Sequence, residues 1–216
     1  MSQDKRHIIA KRVAHELEEG QIVNLGIGIP TLVPQYLGDK EVYLQSENGL
    51  LGIGPTPSDE ELDIDLINAG KEPVTVMTGS SFFSSADSFA LIRGGHIDVA
   101  ILGTLQVDVN GEIANWAVPN QPILGVGGAM DLVAGAKKVI IAATLFNNKG
   151  ESKLVQQLSY KTSGIRRVDL FVSEYAVFQF TDHGVEVVEI IEDLTIEELS
   201  KKVGFQLEYA NTGILN

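Results

Sequence analysis

The sequence predicts an α/β fold built on a mainly parallel sheet, and three observations predict it. Helix-like and strand-like patterns alternate along the chain. Segment 137–143, KKVIIAA, is a continuous apolar run of the kind that forms a strand buried on both faces. No repeat, low-complexity tract or Pro/Ser-rich linker breaks the 216 residues, a length that suits a single domain over 1–216.

The elements follow in order. Residues 4–19 set Ile8, Ile9, Val13 and Leu17 about one helical turn apart with charges between, which predicts an amphipathic helix ended by Gly20. QIVNL (21–25) predicts a strand, and Pro30 suits the first turn of a helix over 30–37. Further strands are expected at 41–45, 74–77, 99–102, 168–172 and 185–191. Helices are expected at 85–93, 129–136 and 150–158, and a late one near 194–203 has Asp193 and Thr195 as candidate caps.

Hydrophobic residues make up 44% and charged residues 21%, a globular composition. The absence of cysteine excludes disulfides, thiolate ligands and cysteine nucleophiles, and fits a cytoplasmic protein. The first twenty residues mix charges throughout and do not resemble a signal peptide, and no apolar run reaches membrane-spanning length. A net charge of -13 argues against nucleic acid and anionic membrane as partners. An anionic ligand would need backbone dipoles, or basic residues on another subunit. No histidine pair has metal-ligand spacing, so no metal is expected.

Three glycine-rich turns carry the candidate chemistry. In Asn24-Leu-Gly26-Ile-Gly28-Ile-Pro30, glycines follow a strand and a proline opens a helix, so amides can approach an anion or carbonyl oxygen. A ligand-free strand-to-helix turn is the alternative. In Gln45-Ser46-Glu47-Asn48-Gly49, Glu47 falls at the carboxyl end of a strand, where open α/β sheets bind ligands. It is either a solvated surface acid or a partly buried one held by Ser46, Asn48 and nearby amides. The third, Gly125-Val-Gly127-Gly128-Ala129-Met130-Asp131, follows Ile123-Leu124, exposes amides where a helix begins and resembles an oxyanion hole. Asp131 there can simply complement the helix dipole.

Other polar candidates are weaker. His96 reads as structural, His7 and His15 as solvated, His183 as a turn residue, and Trp116 as core or interface packing. Ser80-Ser81 has no obvious histidine partner.

Together the three turns resemble the second (β) subunit of family I CoA-transferases, the acetoacetate, butyrate–acetoacetate and succinyl-CoA:3-oxoacid enzymes. The resemblance runs through NLGIGIP (24–30), QSENGLLGIGP (45–55), DLINAGKE (65–72), SFFSSADSFALIRGGHID (81–98), ANW (114–116), GGAMDLVAGAKKV (127–139) and EYAVF (174–178). It implies a three-layer αβα domain and a transferase moving CoA between a short-chain acyl-CoA and a carboxylic acid such as acetate. Glu47 is the implied nucleophile. Asn24, Gly128 and Ala129 are implied at the thioester oxyanion, with Gly26, Gly28, Asn48, Gly49 and Gly127 around CoA and substrate. No cofactor is implied, coenzyme A being a substrate, and the partner would be an α subunit, often in an α2β2 assembly. Where many members carry Glu-His this chain has Thr144-Leu145, which leaves the acyl acid open.

A carboxylate nucleophile suits thioester exchange, since attack gives an anhydride and then a glutamyl thioester in ping-pong fashion. A sugar-phosphate isomerase with Glu47 as base would need cations for phosphate, and basic residues are sparse around the three turns. A ligand sensor would not need the nucleophile. A dinucleotide site would need a third glycine in the first turn.

Overall fold

The computed structural model describes residues 4–118, 125, 127–164 and 166–210. Its first half contains α1 (Lys5–Ala14), β1 (Ile22–Leu25), a 3-10 helix (Ile29–Tyr36), β2 (Tyr43–Ser46), β3 (Leu50–Ile53), β4 (Val76–Phe82), α2 (Ser85–Arg93) and β5 (Val99–Leu102). There follow β6 (Gln106–Asp108), β7 (Ile113–Ala114), α3 (Ala129–Gly135), β8 (Lys138–Ala142), β9 (Leu154–Val155), β10 (Leu170–Val172), β11 (Ala176–Thr181), β12 (Gly184–Ile190) and α4 (Ile196–Val203).

One sheet has the order β12-β11-β10-β8-β5-β1-β2-β3-β4. Its centre, from β10 to β2, is parallel, as expected. Both flanks are antiparallel: short connections at 47–49, 173–175 and 182–183 return the chain at once, and residues 54–75 carry it from β3 back to β4. The central strands bury alternate residues on opposite faces. Val99, Ile101, Ile140, Ala142 and Val172 meet α1 residues Ile9 and Val13 and Val33 of the 3-10 helix. Ala100, Leu102, Val139, Ile141 and Phe171 meet Ile92, Leu132 and Leu199 of α2, α3 and α4. The layers are therefore helix, sheet and helix. Among the described residues no helix is long and apolar enough to cross a membrane.

Several expectations are corrected. The first helix stops at Ala14, after which His15, Glu16 and Leu17 donate i−3 bonds that tighten the chain while Leu17 stays buried. The helix expected at 30–37 is 3-10 in type, because Pro34 inside it has no N–H for an α bond. No helix forms at 150–158. Gly150 at φ +79 closes a turn on the Asn147 side chain, and Leu154 enters a small second sheet beside Val107. Non-local pairing overrides the local pattern there. The last helix is capped by Thr195 in a capping box with Glu198, without Asp193. Strands β3, β6, β7, β9 and β11 add to the expected set. His7 is half-buried rather than solvated, with Nδ1 2.6 Å from the Tyr36 hydroxyl. His15, His96 and His183 are exposed. Leu145, half of the departing pair, is fully buried in the core, and its N–H donates to the buried Glu174 carboxylate at 2.8 Å.

Asp98 ties the amino ends of the parallel strands. It accepts the Ile22 N–H at 2.8 Å and the Lys137 ammonium at 2.7 Å. The Ile22 bond first, then Lys137, hold its carboxyl below the usual range. Its folded pKa is depressed, so the stability it contributes is present above the unfolded pKa, about 3.9, and is lost as pH falls through the lower folded value. Asp98→Asn is therefore expected to flatten the fall in Tm between about pH 5 and pH 3. Equal slopes for the variant and the parent would refute this.

Candidate active site

β1 and β2 are parallel neighbours with Asn24 opposite Gln45. Both therefore stand one or two residues before the carboxyl edge, where Glu47 begins the turn into β3. Asn24 is fully buried. Its Nδ2 donates to Gln45 Oε1 at 2.6 Å and to the Gln45 carbonyl at 3.3 Å, and reaches Glu47 Oε2 at 3.5 Å. Gln45 is buried too, and its Nε2 donates to Ser88 Oγ on α2 at 2.7 Å. With acceptors on this side only, the Asn24 amide must present nitrogen to Glu47, since the reverse orientation would set oxygen against oxygen. Among the described residues Asn24 Oδ1 is left buried without a partner.

The other Glu47 oxygen faces the third turn. A Cβ placed on Gly128 would lie 3.5 Å from Glu47 Oε1 and 3.3 Å from the Phe89 ring. Gly128 caps α3 and Ala129 is its first residue. The structure thus brings Asn24, Glu47 and Gly128 together from three separate turns. Gly127 is exposed at φ +58, and among the described residues nothing lies within 4 Å of where its Cβ would stand. Ile123, Leu124 and Val126 of that motif lie outside the described residues.

Glu47 is half-buried, but not through the groups expected to hold it. Ser46 Oγ accepts the Ala69 N–H at 2.8 Å, and the Asn48 amide donates to the Ile67 carbonyl at 2.8 Å. Both spend their polar groups on securing the 63–74 loop against the turn. Gly26 donates its N–H to the Ile101 carbonyl at 2.8 Å, so what it can offer a ligand is close approach. Gly28, at φ +95, caps the 3-10 helix. A cavity of about 810 Å3 adjoins the site through Gly26 and Ser46 and is walled by Leu25, Ile27 and Leu62. It does not take in Glu47.

Gly49 sets the turn geometry. Its φ is +117, and a Cβ there would lie 2.0 Å from the Phe83 carbonyl oxygen. Gly49→Ala combines left-handed strain with a backbone clash, a cost of about 3 kcal/mol or more. In a chain this size the expected loss in Tm is roughly 6–12 °C. A variant melting within about 2 °C of the parent would contradict the assigned geometry.

Sequence reasoning missed Gln45, Ser88 and Phe89. Ser88 stands four residues before buried Ile92 on the inward stripe of α2, and a polar residue on such a stripe signals a buried partner. Trp116 donates to the Thr162 carbonyl at 3.1 Å, and Asp131 pairs with Arg93 at 2.8 Å, both structural uses. Among the described residues no three His, Asp or Glu side chains gather as metal ligands.

A half-buried carboxylate at the carboxyl edge of a parallel sheet, with a fixed amide donor on one side and a helix start on the other, is an α/β arrangement in which a carboxylate can meet a bound carbonyl group. The family model for coenzyme A transferase matches residues 6–203, and the chain belongs to that family of enzymes. It is 50% identical over 203 residues to the B subunit of a succinyl-CoA:3-ketoacid coenzyme A transferase of Helicobacter pylori (strain J99), covering 94% of this chain and 98% of the relative. It is 52% identical over 200 residues to the B subunit of a 3-oxoadipate CoA-transferase of Pseudomonas putida, covering 92% and 94%. The fold also matches the crystal structure of the acyl-CoA transferase YdiF from Escherichia coli O157:H7. The TM-score is 0.76 at 21% identity, over 96% of this chain and 42% of that one.

Proposed function

We propose that this chain is the β subunit of a CoA-transferase that exchanges CoA between a short-chain acyl-CoA, of the acetoacetyl or butyryl class, and a carboxylic acid such as acetate. The convergence of Asn24 and Gly128 on Glu47 is the observation that supports it. In this reading Glu47 attacks the thioester carbonyl, forming an acyl–oxygen bond as the carbon–sulfur bond breaks and CoA leaves as thiolate. The thiolate attacks the glutamyl carbonyl of the anhydride, forming glutamyl-CoA and releasing the donor's carboxylate. The acceptor carboxylate then attacks glutamyl-CoA and expels the thiolate, which takes the new acyl group and frees Glu47. No net proton is consumed.

Each step passes through an oxyanion. Asn24 Nδ2 and the amides of Gly128 and Ala129 are neutral donors for it, and Gly26, Gly28, Asn48, Gly49 and Gly127 shape the approach of CoA. Neutral donors suit a chain of net charge -13. The relatives named as B subunits support an α-subunit partner. In this reading the two form an α2β2 assembly in the cytoplasm. The test is a transfer assay on the chain with its α subunit. With acetoacetyl-CoA and acetate, loss of the enolate absorbance should be matched by acetyl-CoA formation, with ping-pong kinetics. Intersecting kinetics, or release of free CoA in place of acetyl-CoA, would sink the reading.

A further inference from the structure

The amides that face Glu47 begin a helix that does not hold itself in place. α3 has seven residues, and its cap Gly128 has no side chain to accept the first N–H groups. A helix this short is marginal alone, so its position comes from outside contacts. On its flank, a Cβ on Gly135 would lie 2.1 Å from the Ile92 carbonyl oxygen, so α3 lies tight on α2. That contact fixes the separation of the two helices but does not stop α3 from sliding along its axis. The Arg93–Asp131 pair ties the first turn, and a single exposed pair holds weakly.

The grip is at the other end. Arg166 Nη1 donates to the Val133 carbonyl at 3.2 Å and to that of Ala136, and Nη2 donates to the Lys137 carbonyl at 2.7 Å. One planar guanidinium thus takes up three carbonyls at and just past the helix end, where intrahelical donors run out. The same Nη2 stands 3.7 Å from Asp169 Oδ2, which accepts the Val139 N–H of β8 at 2.7 Å. β8 pairs with β5, and β5 with β1, the strand of Asn24. Arg166 therefore fixes α3 against the sheet that also sets Asn24 and Glu47. The run from Ala136 back to Gly128 spans about 12 Å, too far for Arg166 to reach the reacting atoms. We propose that Arg166 is a positioning residue for CoA transfer, acting through α3 to keep the Gly128 and Ala129 amides at Glu47. This rests on the transferase reading for what those amides do.

The complex with the α subunit is assayed for transfer, and hydrogen exchange is followed in the same samples. Arg166→Met keeps an extended side chain and loses the donors. It is expected to lower kcat about 10- to 100-fold, the scale of a misplacement of about 1 Å, while the KM for acyl-CoA moves less than about threefold. Arg166→Lys keeps one donor group without the fork, so its kcat should lie between. If the Met variant does not fold, the Lys variant decides by the same split. Arg167→Met breaks an exposed pair with Asp182 and should keep the parent's kcat. Gly128→Ala crowds Glu47 and Phe89 directly. Combined with Arg166→Met it should cost less than the product of the two losses, because both displace the same amides. The Leu132 and Ala136 amides, bonded within α3, should exchange about tenfold faster in Arg166→Met while those of β8 hold. The proposal is overturned if kcat falls less than about twofold in both Arg166 variants, or if KM rises as much as kcat falls. It is equally overturned if Arg167→Met slows transfer as much, or if the double variant costs the full product. A parent complex that transfers no CoA would sink the transferase reading. Faster exchange confined to α3 would then still uphold the clamp, and unchanged exchange would overturn it.

Discussion

Glu47→Gln is expected to lower turnover on the order of 10^4-fold or more and to abolish the covalent CoA adduct. An amide has no oxygen nucleophile comparable to a carboxylate, and it cannot become an anhydride. The substitution keeps the length and volume of the side chain, so the turn held by Gly49 and Asn24 should be undisturbed. Incubation with acyl-CoA and borohydride trapping, read by intact mass, separates this from a folding defect. Glu47→Asp should nearly abolish the adduct too, because withdrawing the carboxylate by about 1 Å spoils the attack geometry. Adduct formation at the parent's level in the Gln variant would remove Glu47 from the role.

Asn24→Ala is expected to lower kcat by about 100- to 1000-fold, the usual effect of losing one oxyanion donor. The KM for acyl-CoA should change far less. Asn24 Nδ2 is held by Gln45, which is held by Ser88, so its aim is set before substrate arrives. Such preorganised donors act most strongly on the charge that develops in the transition state. The residue is also buried, so the Tm of the variant must be measured beside its kinetics. A KM that rises as much as kcat falls would reassign Asn24 to ground-state binding.

Much of this was legible in the chain. Alternating patterns and the doubly buried run at 137–143 announced the α/β sheet, because burial on both faces leaves no room for polar residues. Strand-ending glycines marked the turns at 24–30, 45–49 and 125–131, because close backbone approach requires glycine. Less legible was which way polar side chains spend their bonds. Ser46 and Asn48 flank Glu47 in sequence, yet they hold the 63–74 loop. The group that reaches the carboxylate is Asn24, on another strand. Likewise 150–158 has helical composition but pairs as a strand, because Val107 offers it a partner fixed elsewhere in the fold.

The sequence by itself determined the class of fold, the three turns and the acid at position 47, because apolar periodicity and glycine act through local backbone geometry. Only the tertiary structure decided that Asn24, Gln45, Ser88 and Gly128 form one constellation around that acid. It also decided that Ile27, Ile64 and Phe82 stand outside rather than in the core. The first depends on the parallel pairing of β1 with β2 and on α2 and α3 packing beside them, and the second on β4 and the 63–74 loop lying at the outer edge of the sheet; no local pattern encodes either set of contacts.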